Sequence, residues 1–230
     1  LAERVLAVGK PTVIVLMAGS SIDLGAAGEH ASAVLLAWYP GARAGKAVAE
    51  LLFGECSPSG KLPVTFYHNE DLAHMPEFTD YAMVGRTYRY LSRPPLYPFG
   101  FGLTYGDVRV LAASASSVSR ERGLTVDLQL QNLGKAETDD VVQLYIKAED
   151  SPFAPPNPVL CGFRRVHLAP GESKTLTLSV PASALTVVTD AGERVFAGGR
   201  YTLCAGTSQP DARSRELTGF SPVHIDLRLD

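Results

Sequence analysis

The carboxylates that could do chemistry in the first part of the chain are Asp23, Glu29, Glu50, Glu55, Glu70, Asp71, Glu77 and Asp80. Two carboxyl groups facing each other could act as acid/base and nucleophile across a scissile bond. Glu29 and Glu50 read as helix-surface charges. Glu70, Asp71, Glu77 and Asp80 lie in an irregular segment from which they could approach a site, but no spacing pairs any two of them. Asp139-Asp140 precede an alternating apolar stretch and read as solvated. Ser20-Ser21 follow a β-branched run, yet no G-x-S-x-G elbow surrounds them, and Asp23 and His30 do not supply one. That loop also lacks the glycines and the lysine of a phosphate cradle, so a tight strand-to-loop turn is expected there. The five histidines have no metal-ligand spacing. Cys56, Cys161 and Cys204 make neither a disulfide framework nor a CxxC pair.

Three residues are better suited to binding than to bond breaking. Trp38, the only tryptophan, begins Trp38-Tyr-Pro-Gly41 and could stack on the apolar face of a sugar; packing at a domain seam is the alternative. Arg86 begins Arg86-Thr-Tyr-Arg89-Tyr90 and could donate paired hydrogen bonds to a carboxylate or a sugar hydroxyl; bracing of its own segment is the alternative. Tyr81, in the same segment, is the third candidate. The alternation of basic and aromatic residues is too short for a nucleic-acid strip, and the net charge of -3 argues against that partner. No apolar run reaches the roughly 20 residues of a membrane-crossing helix, so no membrane partner is expected.

Two patterns must position these side chains. In residues 1–105, strand-like and helix-like segments alternate. Thr12–Met17 and Ser32–Ala37 are continuous apolar runs, as expected of strands covered on both faces. A loop with a short helix separates them, and a helix with a Lys46–Glu50 pair follows Pro40-Gly41. This βαβ order implies a parallel sheet, but only half of one. Leu1 and the opening LAERVLAVGK read as the interior of a longer chain, with further strands expected upstream. Residues 57–105 are rich in Pro, Gly and aromatics and read as a wrap over a neighbouring surface.

In residues 106–230 the period changes to two. Leu124, Val126, Leu128 and Leu130 alternate with polar residues, as do Val142, Leu144 and Ile146, then Leu176, Leu178 and Val180, then Tyr201, Leu203 and Ala205. Turn signals at Asn132-Leu-Gly134, Pro170-Gly171 and Gly198-Gly199 separate them. About seven short strands, each with one apolar face, predict an antiparallel sandwich of immunoglobulin or fibronectin type III kind. Lys147–Pro158, with its four prolines, is expected to be a crossover loop. The fold class is therefore a partial α/β sandwich, mostly parallel, followed by an all-β sandwich.

Ordered blocks across nearly the whole chain resemble glycoside hydrolase family 3. Lys10–Gly19 is similar to the strand after that family's acid/base loop. Trp38–Gly41 with Gly45 and Ala49 is similar to its YPG-x-x-x-G-x-A helix start. Leu52–Phe66 is similar to its LFG…PSG-[KR]-LP segment, and Gly85–Tyr90 and Tyr97–Tyr105 to its GRTYRY and FPFGYGLSY blocks. Val142–Tyr145, Leu160–Val166 and Leu168–Ser173 resemble its fibronectin type III-like module. The resemblance implies a retaining, exo-acting β-glycosidase of β-glucosidase or β-xylosidase type, acting on a β-linked glucoside or xyloside without metal or organic cofactor. It also implies a (β/α)8 barrel carrying the nucleophilic aspartate and an acid/base glutamate upstream of the Lys10 strand. Neither catalytic residue is expected among residues 1–230. A non-catalytic carbohydrate-binding or structural module is the alternative; it would need exposed aromatics in a row on a sandwich face, where Tyr145 and Tyr201 are the main candidates. Free cysteines and no visible leader lean toward the cytoplasm.

Overall fold

A computed structural model describes residues 1–229. The chain opens with α1 (Ala2–Leu6), stopped at Gly9, whose φ of 73° lies in the left-handed region open to glycine. The two β-branched runs form β1 (Val13–Leu16) and β2 (Ala33–Leu36), joined through α2 (Ala26–His30). They pair in parallel, from Val13 against Ala33 to Leu16 against Leu36. α3 (Ala44–Leu52) follows, with the Lys46–Glu50 ion pair at 3.3 Å. Among the described residues this sheet has two strands. It leaves Val13 44%, Val34 37% and Met17 68% exposed, so neither run is covered as a two-faced strand requires.

The wrap has little regular structure beyond a 3-10 turn (Asn69–His74) and the single turn α4 (Thr87–Tyr90). Its two arms are held together by an antiparallel bridge between Phe66 and Tyr97. Leu62 also donates to the Phe101 carbonyl, and Gly100 to the Leu62 carbonyl.

The sandwich begins with β3 (Val108–Ala115), β4 (Leu124–Asn132), β5 (Thr138–Ala148), β6 (Val159–Leu168) and β7 (Ser173–Val180). A small hairpin follows, β8 (Thr186–Val188) with β9 (Arg194–Phe196), then β10 (Gly199–Gly206), α5 (Ala212–Thr218) and β11 (Val223–Leu229). One sheet has the order β3-β4-β7 and the other β11-β10-β5-β6, with all pairs antiparallel. Val126, Leu128, Val142, Leu144, Leu168, Val180 and Leu203 fill the space between them with no exposed surface. At one end of the core, buried Asn132 satisfies four groups. Its Nδ2 donates to the Ala136 and Leu168 carbonyls, and its Oδ1 accepts from Asp107 N and Gly134 N. A polar residue is tolerated there because each hydrogen-bonding arm has a partner.

Three expectations are corrected. The segment after β5 is not a crossover: β5 and β6 are hydrogen-bonded neighbours, with Ile146 opposite Val159, so the proline-rich stretch is a long hairpin loop. Asp140 is not solvated: it lies inside β5 at 4% exposure. Nor does β5 show one apolar face. Gln143 and Tyr145, which point away from the core, are buried as well. Wrap residues account for both, on opposite sides of β5: Lys61 covers Asp140, which shares the side of Val142 and Leu144, while Tyr88, Phe99 and Gly100 cover Gln143 and Tyr145 on the other.

Candidate functional site

The sequence placed two of its three binding candidates, Tyr81 and Arg86, on the wrap, and the wrap is fixed to the sandwich by side chains from both. Lys61 Nζ donates to the Gly102 carbonyl and pairs with Asp140 Oδ1, each at 2.7 Å. Burial pushes the Asp140 carboxyl above the usual carboxylate range, against the opposing pull of the Lys61 ammonium. Thr138 Oγ1 donates to Ser57 Oγ at 2.7 Å. Gln143 Nε2 donates to the carbonyls of Gly100 and Thr207, both at 2.9 Å, while Tyr145 Oη donates to Gln143 Oε1 at 2.6 Å. Gly100 must be glycine here: its φ is 75°, and a Cβ would run into Gln143 Oε1 and Tyr145 Oη. Beside this polar line, Tyr88 stacks on Phe99 with centroids 4.2 Å apart, and both meet the edge of Tyr145.

Above the seam, the loops of the first region are tied to one another by carboxylates. Asp23, in the loop after β1, accepts from Gly25 N at 2.8 Å and from Asn69 N at 3.0 Å. The Asn69 bond, then the Gly25 bond, hold its pKa below the ordinary value, with the nearby His68 adding to the effect. Asp71, 9% exposed, accepts from His68 N at 3.1 Å and pairs with Arg93 Nε at 3.1 Å. Asp80 accepts from Ala82 N at 2.9 Å. These acids therefore hold backbone in place. Asp23 and Asp71 have both oxygens engaged, and Asp80, although exposed, has one.

The three binding candidates fall at different points. Trp38 follows β2 in a left-handed conformation, φ 49°, and packs edge-on against Phe66 with centroids 6.2 Å apart. Tyr81 stands 86% exposed at the tip of residues 76–86, with Phe78 90% exposed beside it. Arg86 closes the base of that loop: Nη2 donates to the Pro76 and Glu77 carbonyls. Its Nε and Nη1 carry no partner among the described residues. Thr87, next in sequence, has φ 53°, an outlier for a β-branched residue. Its N–H donates to Tyr67 Oη at 2.8 Å. Tyr81 and Arg86 thus share one loop, while Trp38 belongs to the Phe66–Tyr97 aromatic cluster below it.

The two tyrosines on which the alternative reading relied are buried in the sandwich, Tyr145 at 0% and Tyr201 at 2% exposure. Sequence reasoning also missed Asp71, Asn157 and Lys61 as structural anchors. Lys61 and Asn157 pair only with groups distant in the chain, so local spacing does not mark them; Asp71 has a local partner in His68 N, but the Arg93 that completes its anchoring lies far along the wrap.

Residues 1–105 match the glycosyl hydrolase family 3 C-terminal domain, and residues 140–209 match the fibronectin type III-like domain. The chain is 36% identical over 214 residues to a xylan 1,4-β-xylosidase of Xylanibacter ruminicola, an alignment covering 92% of this chain and 24% of that protein. It is 35% identical over 193 residues to a periplasmic β-glucosidase of Salmonella typhimurium, covering 78% of this chain and 25% of that one. Among solved structures, it superposes on a β-glucosidase from Erythrobacter marinus with a TM-score of 0.80 and 32% identity, over 98% of this chain and 29% of its counterpart. The chain spans about a quarter of the length of these two curated relatives.

Proposed function

We infer a function from the family to which the chain belongs, glycosyl hydrolase family 3, of which it carries the C-terminal domain and a fibronectin type III-like domain. The reading supported best is the C-terminal portion of a retaining, exo-acting β-glycosidase of β-glucosidase or β-xylosidase type. Its substrate is a β-linked glucoside or xyloside. The observation that carries this is that most of the chain aligns with a β-xylosidase and with a β-glucosidase, while making up only a quarter of either.

The carboxylates agree with a division of labour. Retaining hydrolysis needs two carboxyl groups about 5–5.5 Å apart across the scissile bond. Asp23 instead spends both oxygens on backbone N–H groups, Asp71 divides its pair between His68 N and Arg93, Asp80 gives one to Ala82 N, and Asp140 spends one on Lys61. We therefore assign the nucleophile and the acid/base to other parts of the complete protein, the nucleophile to a (β/α)8 barrel. To this chain we assign a share of the sugar site, through Trp38, Tyr81 and Arg86. The exposure of Tyr81 and the free edge of the Arg86 guanidinium support that share. We take residues 1–105 as the α/β part and 106–230 as the sandwich, a division supported by the start of β3 at Val108.

The test compares the 230-residue chain with the complete protein on aryl β-D-glucosides and β-D-xylosides. The complete protein should release the aryl group and be trapped by a 2-deoxy-2-fluoro glycoside, the signature of a covalent glycosyl intermediate. The 230-residue chain should release none. Turnover by that chain, or none by the complete protein, would refute the assignment.

A further inference from the structure

We propose that Asn157, in the proline-rich loop of the sandwich, is a positioning residue that holds Arg86 and the aromatic loop 76–86 in the orientation that meets the sugar. The proposal rests on the assignment of Arg86 and Tyr81 to the sugar site.

The reasoning starts from α4. A helix of four residues closes too few hydrogen bonds to hold itself, and its C-terminal carbonyls have no partners within the helix. One residue from the other part of the molecule satisfies three carbonyls at that end. Asn157 Nδ2 donates to the Tyr88 carbonyl at 2.9 Å and to the Leu91 carbonyl at 2.8 Å, and Asn157 N donates to the Arg89 carbonyl at 3.2 Å. The neighbouring strand adds a fourth tie, Leu160 N to Tyr88 Oη at 3.1 Å.

The other end of α4 is where the binding candidate sits. Arg86 is its N-cap residue, and the strained Thr87 is its first residue. Arg86 N donates to the Met83 carbonyl at 3.0 Å, and the guanidinium gathers the Pro76 and Glu77 carbonyls, so the loop carrying Tyr81 closes onto this one turn. A left-handed Thr87 persists only while its surroundings hold it there. The clamp at the far end of the turn and Tyr67 Oη at the near end are those surroundings. In this way a loop of the fibronectin-like sandwich, well away from Arg86 in sequence, sets where the arginine points. The side-chain amide is suited to the task because both bonds use its two N–H donors on carbonyl acceptors.

The experiment uses Asn157→Ala and Asn157→Asp in the complete protein. Aspartate has the shape of asparagine but would turn an acceptor toward two carbonyls. A role in hydrogen-bond donation therefore predicts that both variants fail alike, whereas a packing role predicts that the aspartate variant behaves as wild type. The first readout is amide hydrogen exchange. Amides of residues 83–91 should exchange faster in both variants, and those of β4, β5 and β10 should not change. The second is steady-state kinetics on an aryl β-glycoside, where KM should rise by about tenfold with kcat altered far less, as expected of lost positioning contacts. Unchanged exchange over residues 83–91, a wild-type aspartate variant, or exchange rising equally throughout the sandwich would each overturn the proposal. If the wild-type complete protein hydrolyses no glycoside, the functional assignment fails by itself, while the exchange data still decide whether Asn157 orders the turn.

Discussion

Asp23 is the residue whose charge state governs how the loops above the seam are joined. Its carboxyl is held below the ordinary value by the Asn69 and Gly25 amides. For an acid whose folded pKa is depressed, the stabilisation is complete above the unfolded value, about 3.9, and is lost as pH falls through the folded one. The Asn69 amide should therefore stay protected at pH 7 and lose protection only at acid pH below about 4. Asp23→Ala should show the acid-pH behaviour already at pH 7, and amide exchange at Asn69 measured against pH checks both statements. At this scale the sequence was an uneven guide. Asp23, Arg86 and Tyr81 were visible as polar or aromatic residues in loops. Asp140 was misread because two adjacent acids ahead of a strand normally face water, and the lysine that covers one of them comes from the wrap. Asn157 was invisible for the same reason: its acceptors are backbone carbonyls of another part of the chain, and no side-chain type announces them.

Among the elements, the sandwich strands named from the sequence were legible as strands, but the cover on the second face of β5 was not. In β4 the burial alternates in step with the sequence, Val126, Leu128 and Leu130 in, Thr125, Asp127 and Gln129 out. In β5 the outward residues Gln143 and Tyr145 are buried by the wrap, which no period-two rule can anticipate. The β5–β6 connection was misread because loop length alone suggested a change of sheet, whereas the hairpin pairing of Ile146 with Val159 fixes it. α5 went unnoticed, although Asp211 accepting from Ser214 N at 2.6 Å and Gly219 beyond its end are ordinary start and stop devices. The wrap's attachment to β5 gives a test at this scale. Lys61→Met leaves Asp140 buried without its cation and should cost about 3–5 kcal/mol in urea unfolding. Adding Asp140→Leu should recover most of that loss, because two apolar groups no longer need each other's charge. Equal losses in the single and double variants would mean that the aliphatic stem of Lys61, rather than its ammonium, holds the joint. Leu128→Ala, deep between the sheets, should cost about 2–5 kcal/mol by a different route, the cavity it leaves.

For the molecule as a whole, stability is unequally shared. The sandwich packs two sheets around one continuous apolar core, whereas residues 1–105 rest, among the described residues, on a two-stranded parallel sheet with exposed Val13, Met17, Tyr39, Phe53 and Phe78. Expressed separately, residues 106–229 should unfold cooperatively, and residues 1–105 should aggregate. Separation also has a chemical signature. Cys204 is 3% exposed and packs with Tyr145 against Tyr88 and Phe99 of the wrap, and burial pushes its thiol up to about 11. It should thus resist a thiol-titrating disulfide reagent in the 230-residue chain. Taking the wrap away opens that face of β5 and β10, so in the separate sandwich Cys204 should react at least roughly tenfold faster, as a partly solvated thiol with a lowered pKa does. Cys161, whose thiol burial pushes up to about 12, lies in β6 against the core cluster and serves as the internal control, slow in both pieces. Equal Cys204 reactivity in chain and fragment would mean that the wrap does not close this face in solution, and the seam would then be too loose to orient anything above it.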